Sequence, residues 1–545
     1  MSRLSLFWLA LMGTAVLIVL FFSYPAAAET ATAETAAVAP QATPVTTITV
    51  NSGQDLDTSD GTTCATQPCT LRRAVIQARN LPAAEKPVLI AFDIPATAEE
   101  GYDSELQIWK IQFIGISSNA NASLRYLNGG IIIDGNTQPG GRPDGPKIIL
   151  VGPGTGQWDG IKLGENATQS NNEIHGLGFQ LFKTHIYASS HGNVIEGNWF
   201  GLSDDGTDIV LRGGGANDGS GNTGISVGSN LTDNVIQHNV FAGIAGVAAA
   251  LNGNTTTFAH NYIGTIADGT VPDKTTDPNL VCTQWDWLGG SGISVHGNNN
   301  VIANNIFAGL RINVSPPTTQ ADTIRMGGTD HTVNNNKIGL DVDDNEIGVC
   351  GRGIYLQSGT RFNQITNNQI IEPGLSAISL NDSPTVSTSD ANTLRTNIIK
   401  RSTPWGQIDG NPEPEGAIQL GPGIHAEFRN FNPAHVTTID GVTISGTAGN
   451  DSPCPNCIVE LFLDDNDGIE EALDSLAVVT ADAQGNWTAT LSQPLAEGHG
   501  IRTTSTTTQP NVIPNMSAGT TTGLSVLYTI LTDNYQVYLP LLVRN

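Results

Sequence analysis

The sequence predicts an all-β protein whose main body is a parallel β-helix, and two short repeats carry that reading. The first is punctuated by asparagine. In Asn193-Val194-Ile195-Glu196-Gly197-Asn198-Trp199-Phe200 a second asparagine follows the first by five residues, and apolar residues take the third and eighth positions. The same unit returns from Asn234 to Phe241, Asn300 to Phe307, Asn363 to Ile370 and Asn392 to Ile399, with degenerate copies around Asn261 and Asn336 and a weaker one from Asn172. The second repeat lies upstream of most copies: Gly224-Ile225-Ser226-Val227, Gly292-Ile293-Ser294-Val295, Gly353-Ile354-Tyr355-Leu356 and Ala377-Ile378-Ser379-Leu380.

Together the two units make a coil of roughly two dozen residues, the period range of solenoids. Alternating strands with no helical pattern between them argue a β-helix rather than a sandwich. Each strand is expected to send its Ile, Val or Phe inward, so that stacked coils bury a continuous apolar column. Asparagine suits the corners, where it tolerates left-handed backbone and its amide can bond the equivalent amide one coil above.

Composition agrees with an exported, extended β-protein: 61 glycines and only 14% charged residues. Arg3, an apolar run from Leu4 to Phe22 and Ala26-Ala27-Ala28 read as a signal peptide over 1–28, with an uncleaved anchor as the alternative. Residues 29–44 are rich in Ala, Thr, Pro and Glu and read as a linker; no later segment is apolar enough to span a membrane. A net charge of -27 argues against nucleic acid and anionic membranes as partners. It also opposes a polyanionic sugar polymer, unless calcium or a local basic patch intervenes.

Six cysteines suit an oxidising compartment. The expected pairs are Cys64 with Cys69, Cys282 with Cys350, and Cys454 with Cys457, the last a hairpin bridge rather than half of a zinc site.

Ahead of the repeats, Leu71, Ala74, Val75, Ala78 and Leu81 fall on one helical face behind Thr70, a suitable N-cap. An amphipathic helix there would cover the open end of the column. The run Cys69-Thr70-Leu71-Arg72-Arg73-Ala74 resembles the Cys-Ser-Leu-Arg-Glu-Ala segment that precedes right-handed β-helices in many secreted bacterial proteins, with Arg73 as the departure. The resemblance implies a pectin-lyase-like right-handed parallel β-helix, with first coils within 45–150 and the main body over 151–432. That fold hosts lyases, hydrolases, tailspikes and adhesins, so it does not choose a function.

From about Pro433 the pattern changes to alternating strands at sandwich spacing, such as Val442-Thr443-Ile444 and Ile458 to Leu463. Residues 433–530 resemble the Ig-like modules that end many secreted bacterial proteins, and 531–545 form a tail. Asp464, Asp465 and Asp467 crowd one loop there; calcium, the one cofactor the sequence suggests, is the candidate ligand, and a solvated turn is the plainer reading.

Candidate catalytic acids follow the repeats: Asp204, Asp205, Asp268 and Asp343. Aligned on the coil, Asp205, Asp268 and Asp343 share one position, and with one coil between successive members they stand two rises of about 4.8 Å apart. That is just beyond the carboxylate separation of an inverting glycosidase. Recurrence in register equally suits Asp-Gly turns. The polygalacturonase pattern is met only in the fragments Asp204-Asp205, His296-Gly297 and Arg311-Ile312-Asn313. A lyase needs a base such as arginine, and Arg311, Arg325, Arg352 and Arg361 are the candidate arginines along the repeats. For sugar binding without cleavage, Trp285 and Trp287, with Arg311, are the candidates, because indole faces stack on pyranose rings. The expectation is an extracellular or surface-attached monomer that binds a polysaccharide or cell-surface glycan. A polysaccharide lyase or glycoside hydrolase on the same scaffold is the alternative.

Overall fold

A computed structural model describes residues 42–529, except 56–62, 66, 114–123, 125, 155–157, 211, 213–221, 272–288, 311–321, 382–389, 402–415, 422–427, 429, 450–452 and 514–515. The expected signal peptide and C-terminal tail, with Trp285, Trp287, Arg311 and Cys282, lie outside the described residues.

Three long parallel sheets form the body. Sheet I has 9 strands, from Asp159–Leu163 to Ile418–Leu420; sheet II has 11, from Thr46–Val50 to Thr393–Arg395; sheet III has 11, from Tyr102–Asp103 to Ile398–Lys400. The chain visits I, II and III in turn and then returns to I one coil further on. All pairings in these sheets are parallel except that of the short edge strand Tyr102–Asp103. This is a parallel β-helix, and crossovers between parallel strands of one sheet take the right hand.

The interior is the apolar column that the repeats specify. Ile174, Ile195, Ile236, Phe258 and Ile302 succeed one another in register on sheet II and are fully buried. On sheet III, Phe179, Phe200 and Phe241 stack with ring centroids 5.1 and 4.8 Å apart, which is the rise of one coil. Each such side chain contributes about 1.5–3 kcal/mol by leaving water, before the cost of ordering the chain.

The corner between sheets II and III is held by an asparagine ladder. Nδ2 of Asn198 donates to Oδ1 of Asn239, and the bond repeats through Asn261, Asn305, Asn336 and Asn368 to Asn397 at 2.9–3.1 Å. The expected amide ladder is therefore present. The left-handed residue, however, is the one before each rung: His238, His260, Asn304, Asn335, Asn367 and Thr396 have φ of 53° to 57°. That residue turns the chain outward, which leaves the ladder asparagine free to point into the corner.

At the N-terminal end the helix Leu71–Asn80 is capped by Thr70, whose side chain accepts from Arg73 N. Leu71, Ala74, Val75 and Ala78 are buried in the same core as Ile48 and Val50 of the first strand, so the helix covers the open column as expected. Arg72 is paired with Asp55 at this end.

At the other end stands a module of two antiparallel sheets. One contains His435–Asp440, Thr443–Thr447 and Asn486–Thr490; the other contains Asp474–Thr480, Ile458–Asp464, Gly500–Thr506 and Tyr528–Thr529. Val436, Ile444, Trp487, Leu461 and Ile501 share its core. The module pairs with the backbone of the last coils: Ile399 bridges Ala472, Arg401 N donates to Glu471 Oε1 at 2.6 Å, and Leu394 N donates to Thr521 Oγ1 at 3.0 Å. Edge strands that would otherwise offer unpaired groups are thereby closed.

Cys64 is bonded to Cys69 and Cys454 to Cys457, with Cα separations of 4.5 and 5.5 Å. Cys350 is also in a disulfide. These bonds fit an oxidising compartment. Among the described residues no helix is long and apolar enough to cross a membrane.

Candidate functional site

Strand alternation gives each coil one outward residue at the centre of sheet I, and these stack into a column. In chain order it runs Lys162, Tyr187, Ser226, Ala250, Ser294, Arg325, Tyr355, Ser379 and Gln419. The small residues Ser226, Ala250, Ser294 and Ser379 set off two cation–tyrosine pairs on adjacent coils, Lys162 with Tyr187 and, further on, Arg325 with Tyr355.

Around them several polar side chains converge. The Arg325 guanidinium lies 5.8 Å from the Tyr355 ring centre and that of Arg352 5.0 Å. Tyr355 Oη accepts from Asn381 Nδ2 at 2.7 Å, which fixes the phenol. The Gln357 amide, oriented with its oxygen towards Arg325, accepts from Nε and Nη2 at 2.9 and 2.8 Å. Arg352 Nη1 stands 3.5 Å from Asp322 Oδ1. One coil below, Ser294 Oγ is 2.8 Å from His296 Nε2. Partial burial, and then the charge of Arg325, hold the His296 imidazole below its ordinary pKa. Gly327 lies between His296 and Gln357: a Cβ there would come within 3.1 Å of His296 Nδ1 and 3.0 Å of the Gln357 amide.

This face can do two things chemically. In a chain of net charge -27 the exposed Arg325 guanidinium is a local basic group able to pair with a carboxylate, while Arg352, largely buried, is paired with Asp322. A phenol and an imidazole beside them can move a proton. The sequence exposed Arg325, Arg352 and His296 only as separate residues, and it did not expose Tyr355. The available signal was the third position of the Gly-Ile-x-Val unit, which becomes a surface column once the coils are registered.

The four candidate acids lie elsewhere, in the turns that follow sheet III. Asp204 is engaged by Lys110 and by Gln180 Nε2, the latter at 2.9 Å. Asp205 accepts from Ser203 Oγ at 2.6 Å and Thr207 N at 3.1 Å, bonds that hold it below the usual carboxylate range. Asp268 accepts from Thr270 N and Oγ1 at 2.9 and 2.7 Å. Asp343 is exposed, and its own N–H donates to Asp341. One coil does separate each of Asp205, Asp268 and Asp343 from the next. The turns themselves reach across the gap, Ala267 N to Gly206 O at 3.0 Å and Val342 N to Gly269 O at 3.1 Å. The bonds to Asp205 and Asp268 are those of Asx turns.

In the C-terminal module Asp464 is buried and bound by Arg502 at 2.5 Å. The residue that instead joins Asp465 and Asp467 is Glu471; one oxygen from each lies within 4.8 Å of the others. Burial, the neighbouring carboxylates adding to it, pushes Glu471 up to about 7. Three converging carboxylates have the chemistry of a hard-cation site.

No family model matches the chain, and no curated protein matches it. Among solved structures it is similar to the A-module of mannuronan C-5 epimerase AlgE6 from Azotobacter vinelandii, at 11% identity over 64% of this chain and 95% of that one, with a TM-score of 0.36. It is also similar to a variant of the periplasmic alginate epimerase AlgG, at 12% identity over 69% and 84% with a TM-score of 0.30. For the Dettilon tailspike protein the identity is 12% over 87% and 92%, again with a TM-score of 0.30.

Proposed function

We propose that the protein is an extracellular β-helix that binds acidic polysaccharide along the outer face of sheet I. The observation that carries this reading is the exposed Arg325 set against the half-buried Tyr355 ring on the outer side of sheet I, with Arg352 against the same ring. A polymer with one carboxylate per sugar meets the Arg325 guanidinium, held in place by Gln357, while the Tyr355 ring offers an apolar surface to a sugar face. The rest of the strongly acidic molecule repels such a polymer, which confines binding to this patch.

The test is electrophoresis of the purified mature chain in native gels containing polygalacturonate or alginate. Retardation that is lost in Arg325→Ala and falls steeply with salt is expected. Equal mobility with and without both polymers would overturn the reading.

The fixed phenol supports a second reading, cleavage of a uronate polymer by β-elimination. An arginine pairs with the uronate carboxylate and acidifies the adjacent C–H; His296 or Tyr355 takes that proton, the electron pair forms a carbon–carbon double bond, and the glycosidic C–O bond breaks with protonation of the leaving oxygen. Ultraviolet-absorbing unsaturated product is its signature. Retardation without product leaves binding as the function.

A further inference from the structure

A second surface lies at the corner of sheets II and III, away from the sheet I column. Asn304, Asn305, Ile306, Asn335, Asn336, Lys337, Asn367 and Gln369 line a cavity of about 180 Å³ that crosses three coils. Ile306, Lys337 and Gln369 are in register on sheet III and form its floor. Asn304, Asn335 and Asn367 form its rim, each in the left-handed conformation that throws the side chain outward.

We propose that this groove is a binding subsite for a neutral, hydroxyl-rich sugar residue. Its inner asparagines, Asn305 and Asn336, are consumed by the ladder. Of the outer ones, Asn367 donates to Asn334 Oδ1 and accepts from Thr396 Oγ1, while Asn304 and Asn335 are only half satisfied. Asn335 Nδ2 donates to Asn304 Oδ1, which leaves the Asn304 amide N–H and the Asn335 carbonyl without a partner among the described residues, as is the Gln369 side chain. Adjacent donor and acceptor groups on a rigid backbone match the vicinal hydroxyls of a pyranose. One and two coils below Asn304, the rings of His260 and His238 are stacked at 5.1 Å and 11° and continue the same rim, adding a flat surface for a neighbouring sugar.

Charge decides against an acidic ligand here. The one cation of the cavity, Lys337, is paired with Asp344, so the groove offers no free positive charge. The Arg325 face and this groove therefore select different sugars, and this inference stands apart from the reading of sheet I.

The test is electrophoresis of the full mature chain in native gels containing dextran, galactomannan or laminarin, with polygalacturonate as the acidic comparison. Glycine takes positive φ without strain, so an Asn304→Gly/Asn335→Gly double variant removes both amides and keeps the turns. Retardation by at least one neutral polymer is expected, weakened roughly tenfold in the double variant and unchanged in Arg325→Ala. Two results overturn the proposal: no neutral polymer retards the wild-type chain, or retardation survives in a double variant of unchanged melting temperature. Loss of acidic-polymer binding in Arg325→Ala alone bears on sheet I and leaves the groove untouched.

Discussion

Arg395 of the last sheet II strand stands 3.6 Å from Glu460 of the C-terminal module, and this ion pair spans the junction that closes the β-helix. Glu460 is completely buried and also accepts from Thr396 N at 3.2 Å. Burial outweighs the arginine and raises the Glu460 carboxyl to about 7. Glu470 and Glu471 beside the same junction are raised to about 6 and 7, also chiefly by burial.

A carboxyl raised in the folded state binds protons that the unfolded chain has already released, so stability falls as pH rises from about 4.5 to 7 and is flat above that range. For one such group the slope is at most about 1.4 kcal/mol per pH unit. The module should therefore melt higher at pH 5 than at pH 8. Glu460→Gln keeps an acceptor for Thr396 and removes the titration. A thermal profile of that variant as steep as the wild type between these pH values would exclude Glu460 as a source of the dependence.

His185 contributes with the opposite sign. It is fully buried among Phe179, Phe182 and Phe200, its Nδ1 meets Thr223 O at 3.0 Å and its Nε2 has no partner among the described residues. Burial lowers it to about 4, so the unfolded chain takes up the proton first and stability is lost as pH falls from about 6.5 to 4. His185→Phe keeps a ring and deletes the unpaired nitrogen. Relative to wild type it should gain more in melting temperature at pH 5 than at pH 8; an equal change at both would show that the imidazole does not titrate there.

The ladder separates structural from surface asparagines. Asn305 Oδ1 accepts from Asn261 N and Nδ2, and its Nδ2 donates to Asn336 Oδ1 and Phe258 O. Asn305→Ala leaves several buried groups unpaired and should cost on the order of 3 kcal/mol or more. Asn304→Gly, one residue earlier on the rim, should cost under about 1 kcal/mol. Urea denaturation distinguishes the two, and similar losses would mean that the ladder is not a stabilising element.

Much of the fold was legible because a coil repeats its constraints. Ile195, Ile236 and Ile302 mark the buried column, and Asn198, Asn239 and Asn305 mark the corner, each time at the same spacing. The residue in left-handed conformation was misplaced by one because asparagine favours both roles, and His238 or Thr396 in the turning position hides the pattern. The sheet I cluster was harder to see. Arg325 and Tyr355 are 30 positions apart in the sequence and become neighbours only through strand register. Arg352 reaches the same ring from the turn ahead of its strand, and Asn381 from beyond the next one. Asp205 and Asp268, by contrast, recur in register and bond to their own turns, so recurrence pointed to backbone geometry.

Tyr355→Phe distinguishes binding from chemistry on sheet I. The ring on which Arg325 and Arg352 rest remains, and with it the apolar surface for a sugar; only the hydroxyl bonded by Asn381 is lost. Retardation by an acidic polymer should therefore persist within about fivefold, since one such hydrogen bond is worth no more than about 1 kcal/mol here. Any release of unsaturated product that depends on the phenol should fall by about two orders of magnitude or more, the usual contribution of a positioned acid or base. Arg325→Lys complements it: the charge stays, but the fork that meets a carboxylate with two bonds is gone, so binding should weaken while its salt dependence is retained. Binding lost in Tyr355→Phe but kept in Arg325→Lys would mean that the phenol hydroxyl, rather than the guanidinium, holds the polymer.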